Sequence, residues 1–156
     1  SIGAKMAELL VKDIMSKDVI TVKKDTSIEE LSNILLKNKI SGVPVVDDEG
    51  VLIGIATEAD LIVKDSDLHF PKYFKLLDSI IYPESLSKFK NNLKKYLGSK
   101  VEDIMTTKVK TATADTKINE IANIMIRNKI NRIPIIDENK KVIGIITRAD
   151  IVRSMV

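Results

Sequence analysis

Apolar positions along the chain change period several times, and each change marks an element. Ile28, Leu31, Ile34 and Leu35 recur at helical spacing, which predicts a helix to about Asn38. Thr26 and Glu29 ahead of it fit a capping box, the threonine capping the first amides and the glutamate reaching back. Val19-Ile20-Thr21-Val22, Val43-Pro44-Val45-Val46 and Val51-Leu52-Ile53-Gly54-Ile55 are short β-branched or aliphatic runs that read as strands. The last two are joined by a turn at Asp47-Asp48-Glu49-Gly50, and a further helix is expected to begin at Thr57. A short helical turn at Asp13-Ile14-Met15 leads the series.

The whole pattern then occurs again. Laying residues 11–63 over 101–153 without gaps matches 23 of 53 positions. Val11-Lys12-Asp13-Ile14-Met15 answers Val101-Glu102-Asp103-Ile104-Met105, and Gly54-Ile55-Ala56-Thr57-Glu58-Ala59-Asp60 answers Gly144-Ile145-Ile146-Thr147-Arg148-Ala149-Asp150. In the second copy Asn119 replaces the capping glutamate, and Asn139-Lys140 replaces Glu49-Gly50. A unit of about 50 residues is small for a secure core of its own. The expected fold is therefore α/β (α+β): two pseudo-symmetric strand–helix–strand–strand–helix repeats, 11–63 and 101–156, packed sheet to sheet with two equivalent clefts between them.

Residues 64–100 belong to neither copy and hold all six aromatics, Phe70, Tyr73, Phe74, Tyr82, Phe89 and Tyr96. Their spacing, broken by Pro83 and ended by Gly98, predicts a helical hairpin inserted between the repeats. Residues 1–10 form an N-terminal segment in which 1–5 read as an expression scar outside the fold.

Composition narrows the chemistry. The chain has 156 residues, 44% hydrophobic and 30% charged, with no cysteine and one histidine. Disulfides, thiolate metal sites and cysteine nucleophiles are excluded, and a multi-histidine metal site with them. No apolar run approaches the roughly 20 residues of a membrane helix, and no signal-peptide pattern opens the chain, so a cytoplasmic protein without membrane contact is expected. The net charge of +3 is uneven: −4 over residues 1–63, +4 over 64–100 and +3 over 101–156, which contains all four arginines. That excess is too thin for a polyanion binder but suits a small anionic ligand near the C-terminal third.

The candidate chemistry lies in the two Thr-x-x-Asp segments, Thr57 with Asp60 and Thr147 with Asp150. The plainer reading is a helix cap, in which threonine and aspartate satisfy first-turn amides. The functional reading places a carboxylate at the end of a strand, where it can accept both hydroxyls of a ribose diol. The glycine ahead of each, Gly54 or Gly144, would let a ligand approach the backbone closely. No nucleophile, base and orienting partner come together, so no enzyme is expected.

These residues resemble a known family. The paired copies look like two CBS (cystathionine β-synthase) domains forming a Bateman module. The resemblance is carried by the Val-x-Asp-Ile-Met starts, by Ile40-Ser41-Gly42-Val43-Pro44-Val45-Val46-Asp47 with Ile130-Asn131-Arg132-Ile133-Pro134-Ile135-Ile136-Asp137, and by the Gly-Ile-x-Thr-x-x-Asp segments. It implies a regulatory sensor that binds AMP, ADP, ATP or S-adenosylmethionine between the repeats, with no obligatory cofactor, and that forms a homodimer. By that resemblance one cleft uses Thr147 and Asp150 with Met15, Ile40, Ser41 and Gly42. The other uses Thr57 and Asp60 with Met105, Ile130, Asn131 and Arg132. Arg148 and Arg132 stand where phosphate-binding basic residues are common, while Glu58 and Gly42 in their places carry no positive charge, so unequal clefts are implied. Two alternatives remain: a structural dimerisation module with empty clefts, and a nucleic-acid binder using the lysines and aromatics of the insert. The second is the weaker, because its rings fall on the buried stripe of the amphipathic pattern.

Overall fold

The structure is a computed structural model that describes residues 2–61 and 98–156. The predicted helical hairpin, with its six aromatics, lies outside the described residues apart from Gly98, Ser99 and Lys100. In chain order the elements are α1 (Ile2–Glu8), α2 (Val11–Ile14), α3 (Ile28–Asn38), β1 (Gly42–Val46), β2 (Leu52–Thr57), a 3₁₀ turn (Glu58–Leu61), α4 (Val101–Ile104), α5 (Ile118–Asn128), β3 (Arg132–Ile136), β4 (Val142–Thr147) and α6 (Arg148–Ser154). The class is the expected mixed α/β, with β1–β2 and β3–β4 each forming a two-stranded sheet.

Three local expectations are corrected. Val19-Ile20-Thr21-Val22 is not a strand; only Val22 bridges, in parallel, to Val45. Val22 N–H donates to Pro44 C=O (3.1 Å), and the flanking Ile20 and Thr21 are exposed, so the run buries one side chain rather than a face. The N-cap of α3 is shifted by one residue. Ser27 is the N-cap and accepts from Glu30 N–H (3.0 Å), while the Thr26 hydroxyl accepts from Lys23 N–H (3.1 Å) in the preceding turn. Finally, residues from Ile2 onward form α1, which packs on α5, so they are not outside the fold.

The chain divides into two compact units, and neither coincides with a sequence copy. One comprises Ser1–Ile20, Val46–Ile53 and Lys108–Val156; the other comprises Thr21–Val45 and Gly54–Thr107. Each unit therefore joins the leading segment of one copy to most of the body of the other. In the first unit, Val11 N–H donates to Thr116 C=O (2.8 Å) and Lys12 N–H to Ala114 C=O (2.9 Å). In the second, Val101 N–H donates to Thr26 C=O (2.8 Å) and Glu102 N–H to Lys24 C=O (2.9 Å). The two sets are the same bonds with the copies exchanged. Asp13 and Asp103 serve these segments as local caps, accepting from Leu10 N–H (2.9 Å) and Lys100 N–H (2.8 Å).

The first unit's core consists of Val11, Ile118, Ile121, Met125, Ile133, Ile135, Ile146 and Ile151 with Ala112, so the borrowed Val11 is as fully enclosed as residues native to the copy. In the second, Ile28, Leu31, Leu35, Val43, Val45, Ala56, Leu61 and the borrowed Val101 are buried. Among the described residues, both cores are built from aliphatic, alanine and methionine side chains. Also in the first unit, the β1–β2 turn meets the β3–β4 turn: Leu52 N–H donates to Lys140 C=O (3.0 Å) and Val142 N–H to Gly50 C=O (3.2 Å).

Both long helices end on a lysine in the left-handed region, Lys39 and Lys129, each at φ 53°. That conformation favours glycine, because a Cβ crowds the following carbonyl. Lys129→Gly is expected to stabilise the protein by about 0.5–1 kcal/mol after glycine's larger chain entropy is counted. The midpoint of thermal unfolding should rise by roughly 1–4 °C at this chain size. A lower midpoint would mean that the lysine side chain contributes more than its backbone conformation costs.

Candidate ligand-binding site

Each Thr-x-x-Asp segment sits where a strand ends, within one unit. At the β4–α6 junction the Thr147 hydroxyl accepts from Asp150 N–H (3.2 Å), and Asp150 Oδ2 accepts from Thr147 N–H (2.9 Å). This is a reciprocal capping box, so the plainer reading of the motif is observed. In the second unit, Thr57 N–H (2.9 Å) and the Thr57 hydroxyl (3.3 Å) both donate to Asp60 Oδ2, and a 3₁₀ turn follows. Both carboxylates are half-buried. The cap leaves each at a fixed position beside the strand end, which is also what a ligand-holding carboxylate requires.

The residues before each proline lie against the Thr-x-x-Asp of their own copy. Arg148 N–H donates to Asn131 C=O (2.9 Å), and Glu58 N–H donates to Ser41 C=O (2.8 Å). Arg132 is the direct cross-strand partner of Thr147. Met15, Ile130, Asn131, Arg132, Thr147, Arg148 and Asp150 thus fall in one unit, and Ile40, Ser41, Gly42, Thr57, Asp60 and Met105 in the other. The tight hairpin's antiparallel register brings the start of one strand beside the end of the next, which is why Arg132 lies beside Thr147.

The glycine before each motif has a role the sequence reading missed. Ser16 N–H donates to Ile145 C=O (2.9 Å) and Ile145 N–H to Ser16 C=O (3.0 Å), laying the leading segment along β4. Ile55 and Thr106 exchange the equivalent pair at 2.9 Å each. A Cβ on Gly144 would overlap Met15 Sδ and lie 3.2 Å from Ser16 O. One on Gly54 would meet Met105 Sδ at 2.7 Å and Thr106 O at 3.0 Å. The close approach that glycine permits is made by methionine of the protein itself.

Arg153 donates to Asp150 Oδ1, whereas the Arg148 side chain is exposed. Helical geometry explains it: at about 100° per residue, Arg153 lies roughly 60° around α6 from Asp150 and Arg148 roughly 160°. The i,i+3 spacing was a usable signal.

The family model for the CBS domain matches residues 11–67 and 101–156. The chain belongs to the CBS-domain family and carries the domain twice. Among its relatives is the "Uncharacterized protein MJ1426" of Methanocaldococcus jannaschii, 35% identical over 155 residues, covering 95% of this chain and 92% of that one. The chloroplastic CBS domain-containing protein CBSX2 of Arabidopsis thaliana is 30% identical, covering 99% of this chain but 66% of its own length. Among solved structures, the CBS domain pair of protein MJ0100, in complex with 5-methylthioadenosine and S-adenosyl-L-methionine, is 32% identical with a TM-score of 0.67, covering 93% and 94% of the two chains. CBSX2 in complex with AMP is 26% identical with a TM-score of 0.69, again over 93% and 94%.

Gly144→Ala and Gly54→Ala should each destabilise the protein by about 1–3 kcal/mol, the usual cost of forcing atoms into filled space. Adding Met15→Ala to Gly144→Ala should recover part of the loss, because the nearest obstacle is a flexible side chain. Urea unfolding of the single and double variants checks this; an undisturbed Gly144→Ala protein would mean that the leading segment is not held there.

Proposed function

We propose that this protein is a regulatory module that binds adenosine-containing ligands, AMP, ADP, ATP or S-adenosylmethionine, and has no catalysis of its own. Asp150 and Asp60 hold the ribose diol, Thr147 and Thr57 assist at the ribose or phosphate, and Met15 and Met105 contribute apolar contact. One observation carries the reading. Both copies hold a half-buried carboxylate on a capped strand end, in a chain aligned along most of its length with CBS pairs whose structures contain AMP, S-adenosylmethionine and 5-methylthioadenosine. Arg132 and Arg148 supply positive charge around the second copy's motif, which has no equivalent at Gly42 and Glu58.

Asp150→Ala and Asp60→Ala are each expected to remove one binding event in calorimetric titration with AMP, ATP and S-adenosylmethionine. Hydrogen bonds to a charged group contribute about 1.5–3 kcal/mol each, so losing two nearly abolishes micromolar affinity. Loss of the cap alone costs roughly 1 kcal/mol of stability. Unchanged affinity with lowered melting temperatures would leave the aspartates as caps and refute the assignment.

The same proposal includes a homodimer. Leu36 and Ile126 occupy equivalent positions on α3 and α5 and are 52% and 75% exposed, which is apolar surface available for association. Light scattering is expected to give about twice the 17.4 kDa chain mass; the monomer mass at all concentrations would refute it.

A further inference from the structure

Asp150 is held from two sides. Its side chain is only 15% exposed; Oδ2 accepts the cap amide of Thr147, and Oδ1 accepts Arg153, whose side chain is 69% exposed. The cap is part of the fold, so Oδ1, where Arg153 sits, is the oxygen whose partner can be exchanged. A ribose diol that engages Oδ1 competes there with the guanidinium. If the ligand is uncharged, the guanidinium loses its partner to water. If the ligand carries phosphate, the same guanidinium exchanges one anion for another, and its planar fork matches phosphate oxygens as well as carboxylate. Its long exposed stem permits the exchange without repacking the core. The first copy has valine, Val63, at the corresponding sequence position.

We propose that Arg153 selects ligand charge at the second copy's Thr-x-x-Asp, pairing with Asp150 before binding and with the ligand's phosphate afterwards. The proposal rests on the ribose-holding role given to Asp150 above and adds a charge preference that role does not require. Arg153 guards against neutral and cationic adenosyl compounds by keeping Asp150 neutralised until an anion arrives.

The experiment uses the full chain carrying Asp60→Ala, so that binding at Asp150 is read alone. Adenosine, AMP and S-adenosylmethionine are titrated into that protein with Arg153 intact, with Arg153→Met and with Arg153→Lys, at one ionic strength. The ratio of adenosine to AMP dissociation constants is expected to fall about fivefold with methionine, the upper range for a solvent-exposed ion pair. S-adenosylmethionine, whose sulfonium is positive, should bind no more weakly, and lysine should restore part of the AMP preference. Equal weakening of all three ligands, or an unchanged ratio, would overturn the proposal while leaving ribose binding in place. If the Asp60→Ala protein binds none of the three while the unsubstituted chain does, Asp150 holds no ligand and the proposal fails. If the unsubstituted chain also binds none, the proposed function fails with it.

Discussion

The arrangement depends on one close approach, made twice. A leading segment lies antiparallel against the last strand of a copy it does not belong to in sequence, and it comes so near that only glycine fits beneath its methionine. Ser16 and Ile145 exchange two backbone bonds, as do Thr106 and Ile55. Those bonds give partners to amides and carbonyls at the edge of a two-stranded sheet, where unpaired groups would otherwise remain. The segment also delivers Val11 or Val101 to a core that the copy alone could not close. A sheet of two strands is marginal by itself, and the borrowed segment supplies both the missing pairing and missing apolar surface.

The candidate ligand-binding residues inherit their positions from this packing. Gly144 and Gly54 lie three residues before Thr147 and Thr57, so the strand that receives the leading segment also aims the Thr-x-x-Asp turn. The capping box then fixes the carboxylate. Capping and ligand binding are compatible uses of one aspartate, because the cap engages Oδ2 and leaves the other oxygen to exchangeable partners. A structural role and a functional one are therefore carried by different atoms of the same side chain.

The copies differ in charge around that carboxylate. Backbone bonds of the leading segments repeat almost distance for distance, and the φ of 53° recurs at Lys39 and Lys129. Charge does not repeat. Glu58, Gly42 and Val63 in the first copy stand where the second has Arg148, Arg132 and Arg153. Duplicated packing constrains apolar positions and glycines, whereas half-exposed positions around the motif can change sign at little cost to stability.

The helix of each copy, the β-hairpins, the Asp47 and Asp137 turns and the two Thr-x-x-Asp junctions were all readable from periodicity, turn residues and repetition. They depend on neighbours a few residues apart, and the resemblance of the motifs identified the family. The capping residue was misread by one position because Thr26 and Ser27 are both competent caps, and the choice rests on which amide each can reach. The run at Val19–Val22 looked like a strand because β-branched residues favour extended backbone whether or not a partner strand is present. Which copy each leading segment packs on and what Gly144 and Gly54 make room for were decided by tertiary structure. Those contacts join residues distant in sequence. No local pattern encodes them, because the free energy that selects them comes from closing an edge and filling a core that exist only once the chain has folded.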